Sequence, residues 1–134
     1  MDTPVKSGVK SKGVNGARPR LPLESEILRD ICDELSQRGL FFWRSNNMPS
    51  LGRFGVDGKA RFRAMPKHAA KGVADILCIV DGRFIALEVK RPGAKLRPEQ
   101  AEWGTRVVLN GGEYAKICSV ADALAVIYAD AKVP

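Results

Sequence analysis

The chain has 134 residues and a hydrophobic content of 45%, which suits one globular domain burying roughly two-thirds of its unfolded surface. No apolar run approaches the ~20 residues of a membrane span, and the first residues lack the apolar stretch of a secretory leader. The net charge of +7 favours a polyanionic partner, while three widely spaced cysteines and one histidine exclude a zinc motif and read as small core residues in a reducing, cytoplasmic compartment.

Residues 1–20 carry Lys6, Lys10, Lys12, Arg18 and Arg20 against Asp2, among Gly, Pro and Ser. Such a stretch has little to bury and is expected to be a disordered basic tail, either a solubilising leader or a DNA-binding arm. Residues 21–134 form the single domain. "LESEILRDICDELSQRG" predicts a helix over 23–38, with Ile27, Leu28, Ile31 and Leu35 as its apolar stripe and Gly39 as its stop. Glu24 lies three residues before Ile27 and is expected on the buried face, where it either complements the helix dipole or reaches a cation held by the sheet; Glu26 goes with Asp30, Asp33 and Gln37 towards solvent. "LFFWR" at 40–44 predicts a strand, and Trp43 and Trp103 are assigned to the core rather than to base stacking.

Residues 44–71 then hold Arg44, Arg53, Lys59, Arg61, Arg63, Lys67 and Lys71 against Asp57 alone. A basic concentration of this kind suits a phosphate-bearing partner, and 28 residues are long for a featureless loop. Asp57-Gly58 is expected to fold part of it into a hairpin, with Lys59, Arg61 and Arg63 on one face and Ala60 and Phe62 on the other. His68, a lone histidine in a basic loop, is read as solvated or phosphate-contacting rather than as a base.

In "GVADILCIVDGRFIALEVKRPG", Asp81-Gly82 separates two β-rich runs and predicts a two-residue hairpin turn between strands 75–80 and 83–90. That turn sets Asp75 opposite Glu88, at a non-hydrogen-bonded position where Cα atoms are about 4.5 Å apart. Side chains alternate, so Glu88 and Lys90 share one face while Leu87 and Val89 take the other. Opposed carboxylates repel and weaken pairing. A divalent cation between them removes the repulsion, and Mg²⁺ commonly uses one or two carboxylates with water and phosphate oxygens. Lys90 either supports a nucleophilic water and charge on phosphorus or pairs with an acid at a solvated strand end.

"RPEQAEWGTRVVLNGG" predicts a helix over 98–109, with Pro98 in its first turn and Asn110-Gly111 as its stop. Gln100 in that turn is by default a capping or surface residue, and it is also near enough to the end of the hairpin to support the carboxylates. "EYAKICS" at 113–119 predicts a strand. "SVADALAVIY" begins a helix with Ser119 as N-cap and Asp122 three residues on. The order is α-β-β-β-α-β-α, an α/β protein with a mixed sheet.

"ESEIL", "FFWR", the basic loop, "GVADIL", "IALEVKRPG" and "LRPEQ", in this order over about residues 22–128, resemble the virus-type replication-repair nuclease (VRR-NUC) domain of the PD-(D/E)xK nuclease superfamily. The resemblance implies an αβββαβ restriction-endonuclease-like core with helices flanking a mixed central sheet. It also implies Mg²⁺ or Mn²⁺ held by Asp75, Glu88 and the backbone carbonyl of Val89, with Lys90 as the catalytic lysine. Glu24 is similar to the helix glutamate that holds a water or a second ion, and Gln100 to the supporting glutamine. Ala74 stands where the superfamily's name has Pro, at a position that supplies no ligand.

The expected function is metal-dependent, structure-selective cleavage of branched DNA such as four-way (Holliday) junctions, in a bacterial or phage-infected host cell. Arg44, Arg53, Lys59, Arg61, Arg63, Lys67 and Lys71 are the expected phosphate contacts. The alternative is a non-catalytic DNA-binding or assembly module that retains the fold. The resemblance also implies a homodimer, and the 120–129 helix, apolar on more than one side, is a candidate contact, although covering the sheet is its simpler role.

Overall fold

The computed structural model describes residues 16, 18–45 and 66–129. Most of the basic tail, Arg53, Lys59, Arg61, Arg63 and the Asp57-Gly58 hairpin lie outside these residues. The elements are α1 (Glu24–Gln37), β1 (Phe41–Arg44), β2 (Ile76–Val80), β3 (Arg83–Val89), α2 (Pro98–Leu109), β4 (Glu113–Ile117) and α3 (Val120–Ile127). This is the α/β order that the sequence predicts, with strand and helix ends trimmed by one or two residues.

The β2–β3 hairpin follows from its turn. Asp81 and Gly82 both have positive φ, 50° and 76°, as a type I′ turn requires. A two-residue loop leaves one register, and the pairs run from Val80↔Arg83 to Ile76↔Leu87. β1 joins β2 antiparallel, while β4 joins β3 parallel through the α2 crossover that a parallel pair needs. The result is one four-stranded mixed sheet of order β1-β2-β3-β4.

Alternation gives the sheet two unlike faces. Ile76, Cys78, Ile85, Leu87, Val89 and Ile117 lie under α1 (Ile27, Ile31, Leu35) and α3 (Ala123, Ile127) in the main core. Thus α3 turns its apolar stripe onto the sheet. The opposite face carries Ala74, Leu77 and Ala86 with Val73, Phe84, Trp103 and Tyr114, under α2. Gly104 allows this second packing, because a Cβ there would lie 2.5 Å from the Tyr114 ring. α2 packs chiefly on β4, so the β1–β2 side of its face is left open. Trp43, expected in the core, is 40% exposed there, beside Phe41 (67%) and Ile79 (42%); Trp103 does pack inward, edge-on to Tyr114.

Local hydrogen bonds pin the element ends. The Glu26 carboxylate accepts from the Leu23 N–H at 2.7 Å, so Glu26 caps α1 as well as facing solvent. Ser119 Oγ accepts from the Asp122 N–H at 3.1 Å, and the Asp122 carboxylate accepts from the Cys118 N–H at 2.9 Å. Arg83 grips Glu113 through two 2.8 Å bonds and donates to the Ile127 carbonyl at 2.7 Å, tying β3, β4 and α3 together. Cys78 is buried, Cys32 and Cys118 are half-buried, and all three are free thiols. No helix among the described residues is long and apolar enough to cross a membrane.

Candidate active site

The hairpin ladder stops at Ile76↔Leu87, one pair short of Asp75 and Glu88. The two are therefore not ladder partners, as the turn alone predicts them to be. The reason is a side-chain substitution. The Val89 N–H donates to Asp75 Oδ2 at 2.9 Å, and the Ala74 carbonyl accepts from the Ser45 hydroxyl. The Ser45 N–H donates to the Asp75 carbonyl at 3.0 Å. Asp75 is thus fixed by β1 through its backbone and by β3 through its carboxylate.

Glu88 sits beside it, 2% exposed. Its orientation is set by Gln100. Gln100 Oε1 accepts from the Arg97 N–H at 2.9 Å, closing the first turn of α2. That leaves only the amide NH₂ to face the sheet, and Nε2 donates to Glu88 Oε1 at 2.6 Å. Lys90, itself buried, holds its Nζ 3.8 Å from the same oxygen. Glu88 Oε2 is buried with no hydrogen-bond partner among the described residues, and a buried acceptor left unmade costs about 1–3 kcal/mol or more when charged.

Burial pushes the Glu88 carboxyl up to about 7, helped by the charges of Asp75 and Glu24 and opposed by Lys90 and Arg97. The folded state therefore keeps a proton that the unfolded state has already released, so stability falls as pH rises between about 4.5 and 7 and is level above. At 1.36 kcal/mol per pKa unit, the metal-free wild type should lose ~3 kcal/mol across that window relative to Glu88→Gln. Urea unfolding of both proteins at pH 5 and pH 8 in EDTA measures the difference.

The loop before β2 and the start of α2 meet with no space to spare. Gly72 has φ 74°, and a Cβ on it would lie 2.2 Å from the Glu99 carbonyl oxygen. Gly72→Ala should cost about 1–3 kcal/mol from backbone strain alone, with the clash in addition. It should also displace the turn that carries Gln100. Chemical denaturation reads the first effect and the pH dependence of stability the second.

Other predicted residues fall at varied distances from this centre. Glu24 is exposed rather than buried, because the α1 stripe begins a turn later at Ile27; its charge still acts on Glu88, which puts it on the rim. Lys67 and Lys71 are exposed in the approach to β2, as is His68, in a turn with φ 72°. Arg44 pairs with Ile76 and so belongs to the α1 face, away from the carboxylates.

Two features were not predicted. Lys90, Arg91, Lys95 and Arg97 put four basic residues and no acid into eight positions, and Arg97 bears on the Glu88 charge. The run is visible in "KRPGAKLR", overshadowed by the longer basic segment upstream. The Tyr114 hydroxyl is buried with no hydrogen-bond partner among the described residues; burial raises its pKa, with Glu88 and Asp75 adding to the shift. Its only sequence sign was its place in the β4 alternation.

Among the described residues, no group of three or more His, Cys, Asp and Glu side chains is arranged to hold a metal ion. The set at this site is smaller, the two carboxylates of Asp75 and Glu88. Glu88 Oε2, buried and without a hydrogen-bond partner among the described residues, fits an incoming cation, since its acceptor capacity is unused. No family model, curated protein or solved structure matches the chain.

Proposed function

We propose that the chain is a Mg²⁺- or Mn²⁺-dependent endonuclease of the VRR-NUC type, hydrolysing phosphodiester bonds in branched DNA, four-way junctions included. The observation that carries this reading is Glu88, buried with one oxygen bound by Gln100 and the other unpartnered among the described residues, beside Asp75 and Lys90. A structural role alone would not favour a buried carboxylate kept half-satisfied next to a second one.

In this reading Asp75 and Glu88, with the Val89 carbonyl, would hold the ion, and the chemistry it would supply is neutralisation of phosphate charge and activation of a water. Lys90 supplies a fixed positive charge for the developing phosphorane oxygens. Gln100 keeps Glu88 aimed by anchoring it to the first turn of α2, and Glu24 approaches from the rim. Lys67, Lys71 and the 90–97 run attract the phosphates.

Labelled junctions, flaps and plain duplex incubated with Mg²⁺, Mn²⁺ or EDTA test the reading. Cleavage of branched DNA with either ion and none in EDTA is expected; intact DNA throughout would reject it. The resemblance also supports a two-fold dimer, which sets two sites on the two strands of a junction. Light scattering should then give about twice the mass of one chain. α3 is a weaker candidate for the contact than its sequence suggests, because Ala123 and Ile127 are buried against the sheet.

A further inference from the structure

Phe41, Trp43 and Ile79 form an exposed apolar group beside the candidate active site. Phe41 pairs with Ile79 and Trp43 with Leu77, which places all three on the α2 face, the face of Glu88. Ser45 is bonded to Asp75, and Trp43 lies two residues back along β1, roughly 7 Å at the rise of a strand. The two rings have centroids 5.7 Å apart with planes inclined at 55°, so the pair is not a closed face-to-face stack.

The order across this face is informative. It runs from the aromatic pair on β1, past Asp75 just before β2, to Glu88 on β3 and Lys90 just after it, and then to Arg97, whose charge bears on Glu88. A nucleic-acid strand offers the matching sequence of chemistries, a π-face on one side of the reacting phosphate and further phosphates on the other. A folded protein partner matches less well. A stable protein interface needs about 800 Å² from each side, whereas three partly exposed side chains supply a fraction of that. They are enough for one or two bases.

We infer that Phe41 and Trp43 are a stacking platform for unpaired nucleobases, so that the strand held at Asp75 and Glu88 has at least one unpaired base next to its reacting phosphate. This inference rests on the nuclease reading. It narrows the substrate from branched DNA in general to DNA with unpaired nucleotides at the cut.

Binding in EDTA separates the inference from the chemistry. Fluorescence anisotropy would compare the full chain on a blunt duplex, the same duplex with a single-stranded flap, and that duplex with a flap of abasic nucleotides, which keeps the phosphates. The flap with bases should bind about 5- to 150-fold tighter than the abasic flap per stacked base. Trp43→Ala should abolish that preference, and Trp43→Phe should keep most of it. In a Trp103→Phe background, the flap with bases should quench Trp43 emission and the abasic flap should not, an arm that needs no alanine variant to fold. Equal binding of the two flaps by the wild type would overturn the platform. So would a Trp43→Ala protein that keeps the preference, or one whose mass in light scattering changes while its DNA preference does not. A chain that cuts branched DNA in Mn²⁺ without distinguishing the flaps rejects the platform alone. A chain that distinguishes them but cuts nothing supports the platform and rejects the nuclease.

Discussion

Asp75→Asn should abolish metal-dependent cleavage, a loss of ~10³-fold or more given the several kcal/mol that a catalytic cation supplies, while leaving the fold intact. The hydrogen bond that holds Asp75 explains both halves. Its Oδ2 accepts from the Val89 N–H, and an asparagine carbonyl oxygen can accept the same bond. The amide NH₂ then turns to the other side, towards Glu88, and a neutral donor replaces a repelling charge. The Glu88 carboxyl, now held near 7 partly by Asp75, should move back towards the ordinary carboxylate range. The metal-free variant should therefore be at least as stable as the wild type at pH 8. Single-turnover cleavage and urea unfolding measure the two effects. A variant that loses its fold would show that the Asp75 charge is structural.

Gln100→Glu should be the most damaging isosteric change at the site. A glutamate can still accept from the Arg97 N–H and close the first turn of α2. It cannot donate to Glu88 Oε1, now 2.6 Å from the Gln100 amide. Two buried carboxyl groups would then compete for one proton. At pH 8 in EDTA the cost should be about 1–3 kcal/mol or more, from a lost charge-assisted bond and an unmade buried acceptor. At pH 5, where a shared proton restores the bond, most of it should vanish. Denaturation midpoints at the two pH values distinguish this from a simple packing defect, which would cost the same at both.

The parts of the fold that were legible are those fixed by local chemistry. Asp81-Gly82 permits one hairpin register, and Ile27, Ile31 and Leu35 define one helix face. Gln100 could be placed near the carboxylates because Pro98 dates the start of its helix. Other features depend on competition between distant segments. The hairpin ladder ends early because the Ser45 hydroxyl takes the Ala74 carbonyl and the Asp75 carboxylate takes the Val89 N–H. Trp43 is open to solvent because α2, seated by Gly104 on Tyr114, crosses the β3–β4 side of the sheet. Glu24 and Glu26 look alike in the sequence, and only the path of the chain before α1 decides that Glu26 caps the helix while Glu24 stands at the rim. Each of these outcomes needs the third dimension.

Calorimetric titration of Mn²⁺ into the metal-free wild type and into Asp75→Asn at pH 8, above the range where Glu88 holds its proton, asks whether these two carboxylates bind a cation. Saturable binding by the wild type and none by the variant is the predicted result. Equal binding by both proteins would contradict it, because Asp75 and Glu88 would then not be the residues that hold the ion.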